Sequence, residues 1–439
     1  MRRSIIAAAL ILVVAWVAPA GAVSVERVVS PGGVEAWLVQ DHSNPIIDME
    51  IAFRGGAAVE APARPGLAHM VSGLLDEGSG PYDSQTFQAK LEDLAVELSF
   101  DAGRDTFRGH LKTLADKRDT AFGLFRLALT QPRFDKEPVE RIRGQIQAGL
   151  AHQRQSPEHV AALEWFKTAF AGHPYAQPTD GTPDSIKVIT ADDLRGYVRS
   201  HLARDVLVVS VVGDITAAQL APLLDTTFAA LPARAAAVQV AEIAPKAPGG
   251  VTVIARDNPQ SVATFGAQGL KRADSDWYAA YVMNYILGGG GFSSWLTEEV
   301  REKRGLAYSV YSYLQPMTHA GVIVGGVATE NARLAESIAL IKEQFARMRD
   351  QGPSEQQLND AKTYLVGSFP LQLDSTTGVA NLLTAVQLDH LGIDYLDRRN
   401  ALIGAVTLDD VKRVARRLLD PAALSFVVVG KPEGVATTP

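Results

Sequence analysis

Thr190-Ala191-Asp192-Asp193-Leu194, followed by Leu207-Val208-Val209-Ser210-Val211-Val212-Gly213, joins a helix start to an apolar strand that stops on a glycine. The same pairing returns as Thr407-Leu408-Asp409-Asp410-Val411 and Leu424-Ser425-Phe426-Val427-Val428-Val429-Gly430. Thr190 to Thr407 and Gly213 to Gly430 are both 217 residues apart. Each threonine can cap a helix whose first turn carries two aspartates, and those carboxylates suit the positive end of the helix dipole. Two matched elements in one register read as a duplicated domain. Two unrelated α/β units with similar caps remain the alternative.

Between the copies, Ala235 to Gly250 is rich in alanine and proline and ends Pro245-Lys246-Ala247-Pro248-Gly249-Gly250. It lacks helix periodicity and reads as a linker. Each half opens with strand-like runs (Glu35 to Phe53; Val251 to Gly266), continues through a helix-rich middle, and closes with the capped helix and its strand. Strands in runs with segregated helices predict α+β layers, an antiparallel-type sheet with packed helices, rather than a doubly wound parallel sheet. The expected division is a first domain over residues 23–234, a linker over 235–250 and a second domain over 251–433.

Residues 1–22 precede this plan. Arg2 and Arg3, an apolar run from Ile5 to Ala18, and Ala20-Gly21-Ala22 have the three-part layout of a secretory signal peptide. The run is short of the roughly 20 apolar residues a membrane span needs, so cleavage rather than an uncleaved anchor is expected. N-terminal sequencing of protein recovered from the cell envelope should begin at Val23. Cytoplasmic protein still carrying Met1 would refute export. The expected location is therefore periplasmic or secreted, with no membrane span after cleavage.

The 439 residues contain no cysteine, so an exported chain must hold together by its core alone. The formal charge of −7 argues against a nucleic-acid partner. No two of the nine histidines lie within four positions of each other. His152 and His159 are separated by Pro157, and a solvated helix face describes them better than a metal site.

Several stretches taken together resemble the pitrilysin-like (inverzincin) metallopeptidases, whose zinc motif is H-x-x-E-H on a helix. They are Gly66-Leu67-Ala68-His69 with Leu74-Leu75-Asp76-Glu77-Gly78-Ser79, then His173-Pro174-Tyr175 with Pro178-Thr179-Asp180-Gly181-Thr182-Pro183. The second half adds Gly288-Gly289-Gly290-Gly291-Phe292-Ser293-Ser294 and Arg301-Glu302-Lys303-Arg304-Gly305-Leu306-Ala307-Tyr308. The resemblance spans nearly all of the chain after residue 22 and implies half of a clam-shell chamber built from two related α+β domains.

The departures decide the chemistry. Where the family motif has His, Glu and His, this chain has His69, Ser72 and Gly73. The family's distal glutamate ligand should fall near Gly149, and no Asp or Glu occurs between Arg141 and Pro157. Catalytic zinc needs three protein ligands and an open position for water. One position survives, so no metal and no complete catalytic set are expected here. His69 reads as an ordinary helix residue rather than a ligand.

The second-half motif is intact. Ser293 or Ser294 can cap a helix through Arg301, Lys303 and Arg304 suit its negative end, and Gly305 is a natural stop. A strand follows from Leu306, with Tyr308 near its start. By resemblance, Arg301 and Tyr308 hold the substrate backbone, and Gly289, Gly290, Gly291 and Phe292 form a close-approach loop beside them. A tyrosine hydroxyl can donate to a carbonyl oxygen gaining negative charge, and an arginine offers a planar fork of donors. A packed strand tyrosine, a helix-end cap and a flexible glycine turn are the ordinary alternatives. The resemblance therefore implies a substrate-binding subunit whose partner is a homologous, zinc-bearing peptidase subunit acting on peptides or unfolded segments. A non-enzymatic scaffold or a peptide-binding protein of the same fold is the alternative.

Overall fold

The computed structural model describes residues 23–438, and the leader sequence read above lies outside them. Eleven strands form two sheets among the described residues. The first sheet contains β1 (Glu26–Val29), β2 (Glu35–Gln40), β3 (Ile46–Arg54), β4 (Glu97–Ala102), β5 (Thr106–Leu114) and β6 (Leu207–Gly213), in the order β1-β2-β6-β3-β5-β4. The second contains β7 (Val251–Ala255), β8 (Gln260–Gln268), β9 (Ala307–Pro316), β10 (Gly321–Glu330) and β11 (Ser425–Gly430), in the order β7-β11-β8-β10-β9. With β1 set aside the two orders are the same. In each sheet the closing strand, β6 or β11, runs parallel to the opening strand and antiparallel to the next, and every other pair is antiparallel. The chain is thus two homologous α+β domains.

The repeated residues act as their chemistry requires. Thr190 Oγ1 accepts from the Asp193 amide at 3.2 Å while Asp193 Oδ2 accepts from the Thr190 amide at 2.8 Å. Thr407 and Asp410 exchange the same two bonds, at 3.2 and 3.1 Å. These reciprocal pairs satisfy amides that helix starts leave orphaned. Gly213 and Gly430 end their strands at φ of +136° and +152°. A Cβ there would sit 2.1 Å from Ile46 O or 2.3 Å from Ser261 Oγ, so both glycines are obligatory.

Strand alternation gives each sheet one apolar face toward its own domain's helices. Ile47, Met49, Ile51 and Phe53 face the first domain's own helices, and Ala263, Phe265 and Ala267 do the same in the second. The opposite faces are covered by exchange. Helix Pro157–Ala169, from the first half of the chain, lies on β8 and β11 of the second sheet. Its Trp165, 1% exposed, seats on Gly266, where a Cβ would lie 2.4 Å from Cζ2, and its Nε1 donates to Ser425 O at 3.2 Å. In return helix Thr376–Leu388 lies on β3 and β6, packing Val379, Ala380 and Leu383 against Trp37, Val39 and Val212. Thr384 Oγ1 donates to Ser210 Oγ at 2.8 Å there, and Gln387 Nε2 donates to Val209 O at 3.0 Å.

The His173-Pro174-Tyr175 stretch works as a clasp. Tyr175 Oη donates to Asp105 Oδ1 at 2.7 Å and accepts from the His319 amide at 3.0 Å. His173 Nδ1 accepts from the Tyr175 amide, which leaves Nε2 to donate to Ala241 O at 2.9 Å. The loop so joins the first sheet, the irregular segment near Ala241 and the β9–β10 turn. No helix among the described residues is long and apolar enough to cross a membrane.

Candidate substrate-binding site

The segment before β9 departs from ordinary helix geometry twice. Helix Trp277–Asn284 widens into a π-turn, Tyr285–Gly289, and a second π-turn, Thr297–Glu302, carries Arg301. The glycine run expected as a loop therefore begins inside a helical turn. The reason is space: a Cβ on Gly288 would lie 2.3 Å from Ser312 Oγ of β9, and one on Gly290 would lie 2.7 Å from Tyr285 O. Gly289 is also crowded, 3.0 Å from Asn284 Nδ2, whereas Gly291 faces open space at φ +59° and supplies the turn. π-turns leave no periodic trace in a sequence, and they recur at functional sites.

Ser294 stands just before the helical residues that begin at Trp295 and lead into the second turn, its Oγ accepting from the Thr297 amide at 3.4 Å. At the far end Lys303 pairs with Glu298 and Glu299, each at 2.8 Å, and Arg304 pairs with Glu299 at 2.6 Å. The Lys303 and Arg304 hydrogen bonds hold the Glu299 carboxyl below the usual range. These neighbours thus neutralise one another. Gly305, at φ +59°, ends the turn.

Arg301 points away from them. Its guanidinium lies over two rings, 4.6 Å from the Phe292 centroid and 4.8 Å from the Tyr308 centroid. Its Nε is 3.3 Å from Glu302 Oε1. Phe292 is 70% exposed and Tyr308 81%, so neither ring is core packing. The cause lies in the register of β9. Ser309 pairs with Ala328, but Ala307 pairs with Thr329, so Tyr308 is the extra residue of a β-bulge. Ala307 and Val310 both enter the core, while Tyr308 and Ser309 both face outward. Bulges re-aim side chains in this way. Arg301, Tyr308 and Phe292 are brought together with Gly291 beside them. Tyr311 and Tyr313, further along the same exposed face, were not singled out from sequence. Their signal was the Tyr-x-Tyr alternation within a strand-like run.

The degenerate positions of the first domain also meet. His69 and Gly149 face one recess of about 250 Å³, lined as well by Gln145, Ile146, Leu150, Gln153 and Asp180. Helix Leu67–Ser72 is held at its start by Glu60, whose carboxylate accepts from the Gly66 amide at 2.9 Å and the Ala68 amide at 2.5 Å. Burial pushes the Glu60 carboxyl up to about 8 against those two donors. Ser72 is buried and turns back to donate to His69 O at 2.9 Å, and Gly73 abuts Ile142. Asp180 is taken by Gln153 Nε2 at 3.0 Å. One imidazole, a buried serine and two glycines do not make a zinc donor set. Among the described residues no group of three or more His, Asp or Glu is placed to hold a metal.

Comparison with known proteins gives family matches over both halves of the chain. A family model described as "Insulinase (Peptidase family M16)" matches residues 36–183, and one described as "Peptidase M16 inactive domain" matches residues 189–365. The chain is 29% identical over 394 residues to a "Non-peptidase homolog YmxG" of Helicobacter pylori, covering 89% of this chain and 90% of that one. It is 27% identical over 405 residues to an "Uncharacterized zinc protease" of Streptomyces coelicolor, covering 90% and 87%. Its fold matches the crystal structure of a peptidase M16 inactive domain from Pseudomonas fluorescens with a TM-score of 0.88 at 30% identity, covering 95% of this chain and 99% of that one. A protease structure from Helicobacter pylori has a TM-score of 0.83 at 19% identity and shares the fold.

Proposed function

Because the chain belongs to the M16 (insulinase, pitrilysin-like) peptidase family and lacks that family's zinc motif, we propose that it is the substrate-binding subunit of an exported, heteromeric zinc peptidase. The observation that carries this reading is the outward-facing Arg301–Tyr308 pair, built on a bulge and a π-turn, in a chain whose own metal position is filled by Ser72 and Gly73. A homologous zinc-bearing subunit would close against this half-shell and cut peptides or unfolded segments between the two. Zinc in that partner supplies the acidified water. Tyr308 Oη donates to the substrate carbonyl as charge develops on its oxygen, and the Arg301 fork holds neighbouring backbone carbonyls.

The purified chain from Val23 onward should hold no stoichiometric zinc by elemental analysis and should cleave no peptide. Installing Ser72→Glu with Gly73→His should not restore activity, because Gly149 still stands where a third ligand is needed. Mixing the chain with an H-x-x-E-H-bearing homologue from the same organism should give a complex on size exclusion and cleavage that neither chain shows alone. One tightly held zinc per chain, lost together with activity on chelation, would sink this reading. A complex whose activity ignores this subunit's Arg301 and Tyr308 would make the chain a scaffold.

A further inference from the structure

The exposed face of β9 carries two further tyrosines, and their placement is as specific as that of Tyr308. Beyond the bulge, alternation puts Val310 and Ser312 on the core side and Tyr311 and Tyr313 on the face opposite it. The exchanged helix Pro157–Ala169 covers this face over β8 and β11, and leaves it open over β9. The Tyr311 and Tyr313 rings lie 6.2 Å apart and within 18° of parallel, and each residue is about half exposed. Tyr311 lies flat because its neighbour on β10 is Gly326, where a Cβ would come within 2.8 Å of the Tyr311 hydroxyl. Tyr311 over Gly326 and Tyr313 beside it, opposite Val324, make a shelf of two rings.

The edge of the same strand is closed to another mode of binding. Exposed edge strands bind extended peptides through unpaired main-chain groups. Here the Ser312 carbonyl accepts from Asn284 Nδ2 at 3.0 Å, and the Val310 carbonyl accepts from Thr297 Oγ1 at 3.4 Å. Strand addition along that stretch would have to displace both. A peptide held at Arg301 and Tyr308 is therefore met by side chains as it continues along β9.

We infer that Tyr311 and Tyr313 form a specificity subsite that accepts large apolar or aromatic side chains of an extended peptide, adjacent to the segment gripped by Arg301 and Tyr308. This rests on the substrate-binding reading above. Side chains on one face of an extended peptide recur about every 6.6–6.8 Å, which fits the spacing of the two rings. Flat aromatic faces reward such side chains by burial and by offset stacking.

The test uses the chain from Val23 onward and two fluorescein-labelled decapeptides of equal charge, one built from Ser, Thr and Gly, the other with Phe at alternate central positions. Fluorescence anisotropy should show the Phe peptide binding about tenfold more tightly, as burial of a large apolar side chain allows. In Tyr311→Ala/Tyr313→Ala the preference should fall below about twofold. In Tyr311→Phe/Tyr313→Phe, which keeps the rings, it should persist. Arg301→Ala should weaken both peptides alike and leave their ratio intact. Equal binding of both peptides by the wild-type chain, or a preference unchanged in the double alanine variant, overturns the subsite and leaves the substrate-binding reading standing. Failure of the wild-type chain to bind either peptide overturns both.

Discussion

Trp165→Ala is expected to lower the stability of the chain by about 3–5 kcal/mol, the range for removing a large buried aromatic. The side chain is 1% exposed and stands on a helix of the first half while its ring lies on Gly266 of the second sheet. Its indole also donates to Ser425 O, so truncation leaves a cavity and removes a hydrogen bond between the halves. The loss should fall on the coupling between domains rather than on either core. Each sheet keeps its own cluster of helices, one around Phe53, Phe107 and Phe125, the other around Phe265, Phe345 and Phe426. Denaturant unfolding followed by tryptophan fluorescence and by circular dichroism should then separate into two transitions where the wild-type chain shows one. Leu163→Ala on the same helix is the control, since Leu163 is 37% exposed and should cost far less. An unchanged midpoint in Trp165→Ala would mean that the exchanged helix adds little to holding the halves together.

That exchange is also where sequence reading reaches its limit. The duplication was legible because its marks are local: a threonine and an aspartate three residues on exchange two hydrogen bonds, and a glycine is required where a strand ends at positive φ. The missing zinc ligands were legible for the same reason, as single residues at stated positions. The destination of helix Pro157–Ala169 was not. It reads as one more helix with an apolar side, and nothing near it in the chain states that this side belongs to β8 and β11, about a hundred or more residues later. The Arg301–Tyr308 pair was visible as a motif, but the device presenting it was hidden. A bulge shifts the two-residue alternation by one, and in Ala307-Tyr308-Ser309-Val310 either phase reads as a plausible strand until the β10 register is known. The π-turns likewise hide under the helix period, and the tyrosine shelf is set by Gly326 on a neighbouring strand.

Tyr308→Phe in the assembled peptidase should lower kcat by on the order of 10²-fold to 10³-fold, the usual loss when one donor to a developing oxyanion is removed. The structure makes this substitution a clean one. Phenylalanine keeps the ring that lies 4.8 Å from the Arg301 guanidinium, and the Phe292 ring stays at 4.6 Å, so the arginine need not move. Tyr308 is 81% exposed, so removing its hydroxyl disturbs no packing and should leave thermal stability unchanged. The bulge is a backbone feature and tolerates either ring. Only the donor is lost. Arg301→Ala should behave differently. Its fork would hold substrate carbonyls in the ground state and the transition state alike, so the loss should appear mainly in KM. Arg301→Lys keeps the charge but not the planar fork, and should recover only part of the affinity. The measurement is steady-state cleavage of a fluorogenic peptide by reconstituted complexes with matched zinc content and matched assembly on size exclusion. A kcat loss in Tyr308→Phe with normal zinc would place a transition-state donor on the subunit that carries no metal. Wild-type rates for both Tyr308→Phe and Arg301→Ala would reduce the chain to a wall of the chamber.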